Sequence, residues 1–301
     1  MPLLTIGSAA YDTLETPYGF RDRSLGGSGV YASFAASFFT ESRLIGVVGG
    51  DWKPEYSGLL RSRGVDLDGL ETRPEAKTTY WSGRYFDDMN ARETLCFEGN
   101  VMSETYIPIV PESYKTTPYV FLGNGSPLTD MALLDAIEKP KLVVADTMDF
   151  YINGMRNELL ALLQRVDGLI LNDSESELLT GRRDVLTAAR LIMDMGPRFV
   201  VIKRGAYGAM YISSDATYLV PAFPTRNVVD PTGAGDAFAG AMMGSLAESG
   251  DLSPESVKSA LLYATVVASL NIEGFALERF QYVTRADVDK RAAEFRKMLV
   301  S

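Results

Sequence analysis

The sequence predicts an α/β protein: a mostly parallel sheet covered by helices on both faces, with a smaller β-sheet standing off it. Three observations carry that expectation. From Tyr119 onward, short apolar runs alternate with longer stretches of helical period, which is the pattern of a parallel sheet whose crossovers lie on both faces. The runs end in Gly, Asn, Asp or Arg-Gly, at Gly123-Asn124, Asp146, Asn172 and Arg204-Gly205; ligands of such sheets bind outside the carboxyl ends of the strands. Between Lys77 and Val101 the texture becomes β-rich around the polar link Asp87-Asp88-Met89-Asn90, a hairpin signature inserted between two α/β stretches.

In chain order, Leu3–Ile6 reads as the first strand and ends at Gly7-Ser8. Tyr11–Ser24 reads as polar and irregular, broken by Pro17 and Gly19. Leu25-Gly26-Gly27-Ser28-Gly29 opens a helix that runs to about Phe39. Arg43–Val48 is a strand, and Pro54–Arg63 a helix with proline well placed near its first turn. Val65-Asp66-Leu67 leads out of it. Thr78–Ser82 and Arg92–Phe97 are the arms of the inserted hairpin. Strands follow at Tyr119–Leu122, Lys141–Ala145, Gly168–Leu171 and Phe199–Lys203. Helices follow at Met131–Ile137, Glu158–Val166, Asp173–Thr180 and Asp184–Met195, the last two parted by Gly181. Ala209–Ile212 and Thr217–Val220 read as an antiparallel pair around Ser213-Ser214-Asp215. Asn227-Val228-Val229 reads as a short strand end. Three helices close the chain: one after Gly235, one over Pro254–Ile272 capped by Ser253, and one over Arg285–Val300 capped by Thr284.

Composition narrows the chemistry. Of 301 residues 46% are hydrophobic, so a sizeable core is available. The formal net charge of −10 argues against a nucleic-acid partner. The chain has no histidine and only one cysteine, Cys96. Ser-His and Cys-His catalysis, histidine metal sites and disulfides are thereby excluded. Proton transfer near neutral pH then falls to Asp, Glu, Lys, Tyr or water. The start of the chain lacks a basic leader, and the longest apolar runs, Gly29–Phe39 and Ala260–Ile272, fall short of the ~20 residues a bilayer span needs. A cytoplasmic protein without a membrane partner is the expectation.

The most informative stretch is Asp230-Pro231-Thr232-Gly233-Ala234-Gly235-Asp236, followed by the small, apolar run Ala237–Gly244. Gly233 and Gly235 allow a tight turn and close approach of a ligand to the backbone. A helix start carries unpaired N–H groups and partial positive charge, a ready anion site. A carboxylate, Asp236, on that first turn adds a base. Together they suggest phosphoryl transfer; a bare Gly-x-Gly-Asp would be an ordinary turn with an acid on the helix dipole.

The whole string resembles the signature of the ribokinase (PfkB) family of carbohydrate and nucleoside kinases, Asp-x-x-Gly-Ala-Gly-Asp. The resemblance implies a three-layer ribokinase-like fold over residues 1–301, with a β-sheet lid contributed by about 11–24 and 76–104. It gives Asp236 the role of base and the amides of Gly233, Ala234 and Gly235 that of an anion hole. Further elements follow in family order. Asn172-Asp173-Ser174-Glu175 matches an Asn-x-x-Glu element, with Asn172 near the phosphates and Glu175 placing Mg2+, often through water; a solvated helix cap is the plainer alternative. Lys203-Arg204-Gly205-Ala206-Tyr207-Gly208 resembles the strand and Gly-x-x-Gly turn beside the nucleotide, with Lys203, Gly205 and Gly208 binding ATP. On the substrate side the resemblance points to Asp12, Gly26 and Gly27, and the strand-end residue Asn124 joins them. Many relatives carry Gly-Gly-x-x-x-Asn; here Tyr31 stands at the Asn place, and a ring and hydroxyl replace an amide. Trp81 and Arg84, with Tyr85 and Arg92, are candidate lid contacts. Asp230 and Thr232 match positions that enclose a monovalent cation such as K+, together with the loop Asn271–Phe280.

The expectation is therefore an ATP-dependent kinase acting on a hydroxymethyl group of a sugar or nucleoside, with a homodimer through the lid implied by the family. A non-catalytic nucleotide or sugar sensor of the same fold is the alternative. A dinucleotide oxidoreductase is a weaker rival, because no Gly-x-Gly-x-x-Gly follows the first strand.

Overall fold

Strands buried on both faces read as continuous apolar runs, because alternate side chains enter different cores. Leu169 and Leu171 enter one apolar cluster and Ile170 the other, and Val200, Ile202 and Val201 repeat the division. The computed structural model describes residues 1–102 and 106–299. Its first half runs β1 (Leu3–Ile6), β2 (Ala10–Thr16), β3 (Gly19–Gly26), α1 (Ser28–Ala36), β4 (Ser42–Gly49), α2 (Pro54–Ser62), β5 (Val65–Arg73), β6 (Thr79–Tyr85), β7 (Arg92–Glu98), β8 (Tyr119–Leu122), α3 (Pro127–Ala136) and β9 (Leu142–Asp146). It continues with α4 (Asp149–Gly154), α5 (Arg156–Leu163), β10 (Gly168–Asn172), α6 (Asp173–Thr180), α7 (Val185–Asp194), β11 (Phe199–Lys203), β12 (Ala209–Ser213), β13 (Thr217–Val220), α8 (Ala234–Ser249), α9 (Pro254–Asn271) and α10 (Arg285–Met298).

Nine strands form the main sheet in the order β13-β12-β11-β10-β9-β8-β1-β4-β5. All neighbours are parallel except β11–β12 and β12–β13, so β12 alone runs against the rest. The chain leaves β1 toward β4 and later returns to its other side as β8. That reversal opens a crevice at the carboxyl ends of β1 and β8. Gly7-Ser8 and Gly123-Asn124 stand there, tied by the Gly123 amide donating to Ile6 O at 2.8 Å. A separate four-stranded sheet has the order β3-β2-β6-β7. Among the described residues, no helix is long and apolar enough to cross a membrane.

One helical layer sets the geometry of the site. All of α1 is buried. It lies against α8, whose small residues allow a close backbone approach. A Cβ on Gly240 would stand 2.1 Å from Ala32 O, and one on Gly244 would stand 2.9 Å from Ala36 Cα. The apolar run after Asp236 is thus a spacing device that holds the start of α8 directly over α1.

Several sequence expectations change. Tyr11–Ser24 is not irregular but lies within the paired strands β2 and β3. Val65–Leu67 is the start of β5, an edge strand reaching Arg73. The helix expected from Met131 begins at Pro127, and α4 was not foreseen. Asn227–Val229 is not a strand: the Val229 amide donates to Ile272 O at 2.8 Å, in a loop. The caps at Ser253 and Thr284 stand as expected, the second as a full capping box. Val300 and the part of the 76–104 segment at 103–104 lie outside the described residues.

Candidate active site

The site is built around the start of α8. Gly233 adopts φ 73°, the left-handed region, and caps the helix without a side-chain partner. A Cβ there would stand 2.4 Å from the Tyr31 ring, which lies beneath the turn from α1. The Ala234 amide is used up by Pro231 O at 3.1 Å. The Gly235 and Asp236 amides have no backbone carbonyl acceptor among the described residues, as expected of the first turn of a helix. The Asp236 amide faces its own carboxylate. That carboxyl is half-buried. Burial, reinforced by Asp146, pushes its pKa up to about 6, against the pull of Lys203 and Arg92.

On one side lies a charged cluster from three strand ends. Lys203 Nζ donates to Asp146 Oδ2 at 2.7 Å in a largely buried pair. Burial pulls Lys203 down, but Asp146, Glu175 and Asp236 outweigh it and the net shift is upward. Glu175 closes a capping box with Asn172: its Oε2 accepts the Asn172 amide at 2.8 Å, and Asn172 Oδ1 accepts the Glu175 amide at 2.8 Å. Burial raises Glu175 to about 7, opposed first by Lys203. Asn172 is therefore first of all a helix cap, and Glu175 is both cap partner and member of the cluster. Asp146 was noted in the sequence only as a strand end.

Beyond the cluster opens a cavity of about 450 Å³, a size that suits a small-molecule ligand. Lys203, Gly205, Gly208 and Gly235 line it, and Phe223 and Ile272 give it an apolar wall. The expected Gly-x-x-Gly turn is a 3-10 turn over Gly205–Tyr207, with Gly208 at φ 91°. Thr265 Oγ1, also in the lining, is buried without a partner.

On the other side Asp12 projects from a β-bulge in β2. It lies so close to Gly26 that a Cβ there would stand 1.9 Å from its Oδ2, and it accepts the Gly27 amide. Burial, with Asp230 and Asp236 adding to it, pushes Asp12 up to about 8. Gly27 itself has φ 102° and a Cβ would meet Ser8 O at 2.3 Å. Asn124 Oδ1 and the Tyr31 hydroxyl are buried and unpartnered. The Tyr31 ring is 1% exposed and packs beneath the Gly233 turn. Arg84 forms exposed ion pairs with Glu15 at 3.0 Å and Glu93 at 3.9 Å. Trp81 packs with Leu14 and Phe275 and donates to Thr94 Oγ1 at 3.2 Å.

Asp230 is fully buried, and its carboxylate accepts the Thr232 amide and the Ala276 amide, both at 2.9 Å. It thereby ties the motif turn to the loop after α9. Asn271 Nδ2 donates to Thr232 O at 2.9 Å, while its Oδ1 is buried without a partner. The small sheet reaches this turn through the Tyr85 hydroxyl, 3.2 Å from Thr232 Oγ1. Its hairpin tip also borders the large cavity, with Asn90 Oδ1 3.0 Å from where a Gly205 Cβ would sit.

A ribokinase-like α/β fold with a separate small sheet and a helix start beside a carboxylate is the setting in which the comparisons with known proteins place a phosphotransferase with an alcohol acceptor. The chain matches the description "pfkB family carbohydrate kinase" over residues 12–277, and it belongs to that family. It is 30% identical over 249 residues to a cytidine kinase of Thermococcus kodakarensis, across 81% of this chain and 87% of that protein. Among solved structures it is similar to a nucleoside kinase of Burkholderia thailandensis in complex with inosine, with TM-score 0.76, 20% identity and 97% and 98% of the two chains covered. It is also similar to Arabidopsis thaliana ribokinase complexed with ribose and ATP, with TM-score 0.74, 20% identity and 97% and 98% covered.

Proposed function

We propose that this kinase transfers the γ-phosphoryl group of ATP to a hydroxymethyl group of a sugar or nucleoside, with Asp236 as general base. The observation that carries the proposal is the meeting of a half-buried carboxyl raised to about 6 with amides that have no backbone carbonyl acceptor on one helix turn. A base of that pKa is ionised at neutral pH yet basic enough to receive the hydroxyl proton. In the step, the acceptor oxygen forms a bond to the γ-phosphorus, the bond to the β-γ bridging oxygen breaks, and the proton passes to Asp236. The Gly235 and Asp236 amides face the charge that spreads over the equatorial oxygens. ATP lies in the cavity beside Lys203, Gly205 and Gly208, and Thr265 Oγ1 offers an unused polar contact in its wall.

The acceptor lies against Asp12, Gly26, Gly27 and Asn124. Asp12, at about 8, is protonated at neutral pH and can donate to a substrate hydroxyl as well as accept. A nucleoside is the first choice, supported by the cytidine kinase at 30% identity. The small sheet serves as the lid. Magnesium accompanies ATP, and Glu175 and Asp146 are oxygen donors of the kind it takes, directly or through water. A monovalent cation by Asp230 and Thr232 is supported by the orphan Asn271 Oδ1. Exposed Phe20 and Phe97 on the edge strands of the lid support a homodimer through that sheet. The net charge of −10 supports the absence of a nucleic-acid partner. We assign the enzyme to the cytoplasm, where ATP is held.

The test is ADP formation with ATP and Mg2+ across a panel of nucleosides and sugars, with the product identified by phosphorus NMR. A 5′-phosphorylated nucleoside or a sugar phosphate is expected. Binding of nucleotide and acceptor with no ADP formed would instead make the protein a sensor.

A further inference from the structure

The small sheet carries four arginines on its strands, and three are neutralised. Arg21 pairs with Glu278 at 2.5 Å, Arg23 with Asp51 at 3.0 Å, and Arg84 with Glu15 at 3.0 Å. The fourth, Arg92, has no carboxylate within ion-pairing distance among the described residues and remains exposed. Its position is nonetheless fixed. It opens β7 directly opposite Tyr85 and hydrogen-bonds the Tyr85 side chain. Its guanidinium lies 5.6 Å from the Trp81 ring centroid, a cation–π contact. Tyr85 in turn reaches Thr232 Oγ1 at 3.2 Å, so Arg92 is held above the turn that begins the anion hole. Its charge bears on Asp12, Glu175, Asp149 and Asp236 without touching any of them.

The charge balance of the cleft gives this placement a purpose. The other cation beside Asp236, Lys203, is already spent on Asp146 at 2.7 Å. Glu175 and Asp236 then face an incoming triphosphate with Lys203, the cation between them, already paired. A planar guanidinium fork matches phosphoryl oxygens better than it matches sugar hydroxyls. We propose that Arg92 is a catalytic residue: carried on the lid, its guanidinium contacts the transferring γ-phosphoryl group from the side opposite the Gly235 and Asp236 amides. It stays protonated throughout, and the proton of the acceptor hydroxyl goes to Asp236. This assignment rests on the kinase function proposed above.

The test compares Arg92→Ala and Arg92→Lys with wild type, using Arg21→Ala as the lid control. With the acceptor found in the panel, Arg92→Ala should lower kcat about 10³-fold, with acceptor KM and ADP Kd within a few-fold of wild type. Guanidinium ion should restore part of that loss, and Arg21→Ala should keep wild-type kcat. Arg92→Lys, which keeps charge but loses the fork, should fall between. A second readout needs no acceptor: in wild type, aluminium fluoride with Mg2+ should tighten ADP binding, and Arg92→Ala should lose that tightening while keeping ADP affinity. An unchanged kcat, or a rise in acceptor KM alone, would overturn the proposal. If wild type forms no ADP with any acceptor, the kinase function fails separately. The fluoride measurement then decides alone: tightening that survives in Arg92→Ala, or is absent from wild type, overturns the role of Arg92.

Discussion

Asp236 is poised by neighbours of opposite effect: burial and Asp146 raise its pKa to about 6, and Lys203 and Arg92 hold it from rising further. In the proposed mechanism the ionised form is the active one, so kcat/KM should fall as pH drops through about 6 and be flat above it. Asp146→Asn removes the charge that disfavours ionisation and frees Lys203 to act on Asp236. Both changes lower the pKa, so the acidic limb should move to lower pH, by up to about one unit. A pH–rate profile measures it; a limb that stays in place or moves upward would show that Asp236 is not the titrating group. Glu175, raised to about 7 in the same cluster, titrates with it, and the limb reports the cluster as a whole. The signature Asp and the Gly-Gly pair could be singled out as candidates because each lies in a short local motif; Asp12 was singled out through the family resemblance alone. Arg92 was legible only as one lid residue among several. What distinguishes it, the pairing of its three neighbours and its link through Tyr85 to Thr232, joins segments 147 residues apart.

Elements with chemical end-marks were readable. Ser253 and Thr284 cap α9 and α10 because a hydroxyl can accept the orphan N3 amide, a purely local contact. The strands β2 and β3 escaped reading because Arg21, Asp22 and Arg23 give them a polar surface, and only pairing with β6 completes the sheet. β5 carries the alternation Val65, Leu67, Gly69 on its buried side, but as an edge strand it is too polar outside to stand out. The contact of α1 with α8 is the element on which site geometry depends. Gly240→Ala puts a methyl 2.1 Å from Ala32 O, in backbone that cannot yield cheaply. We expect a loss of about 1–3 kcal/mol or more in denaturant unfolding, with reduced kcat because Tyr31 supports the Gly233 turn. Gly58→Ala in α2, where nothing lies within 4 Å, should instead be neutral or stabilising by up to about 1 kcal/mol. Equal effects of the two changes would contradict the spacing role of Gly240.

At the scale of the molecule, the topology gathers functional groups that are far apart in sequence. The reversal at β1 and β8 opens a crevice, the ends of β9 and β11 supply Asp146 and Lys203, the first turn of α6 after β10 supplies Glu175, and α8 joins the two halves. The fold was largely readable because parallel strands with helical crossovers leave a regular pattern. The mutual geometry of the site was not, because distances across a sheet are not written in any single stretch. The central claim is that Asp236 performs chemistry at this junction and does not merely help hold nucleotide. It is tested most directly by the turnover number of Asp236→Asn, measured beside its affinity for a non-hydrolysable ATP analogue. We predict a fall in kcat of about 10²–10⁴ with analogue affinity within a few-fold of wild type. Wild-type kcat, or a loss accounted for wholly by weakened nucleotide binding, would contradict it.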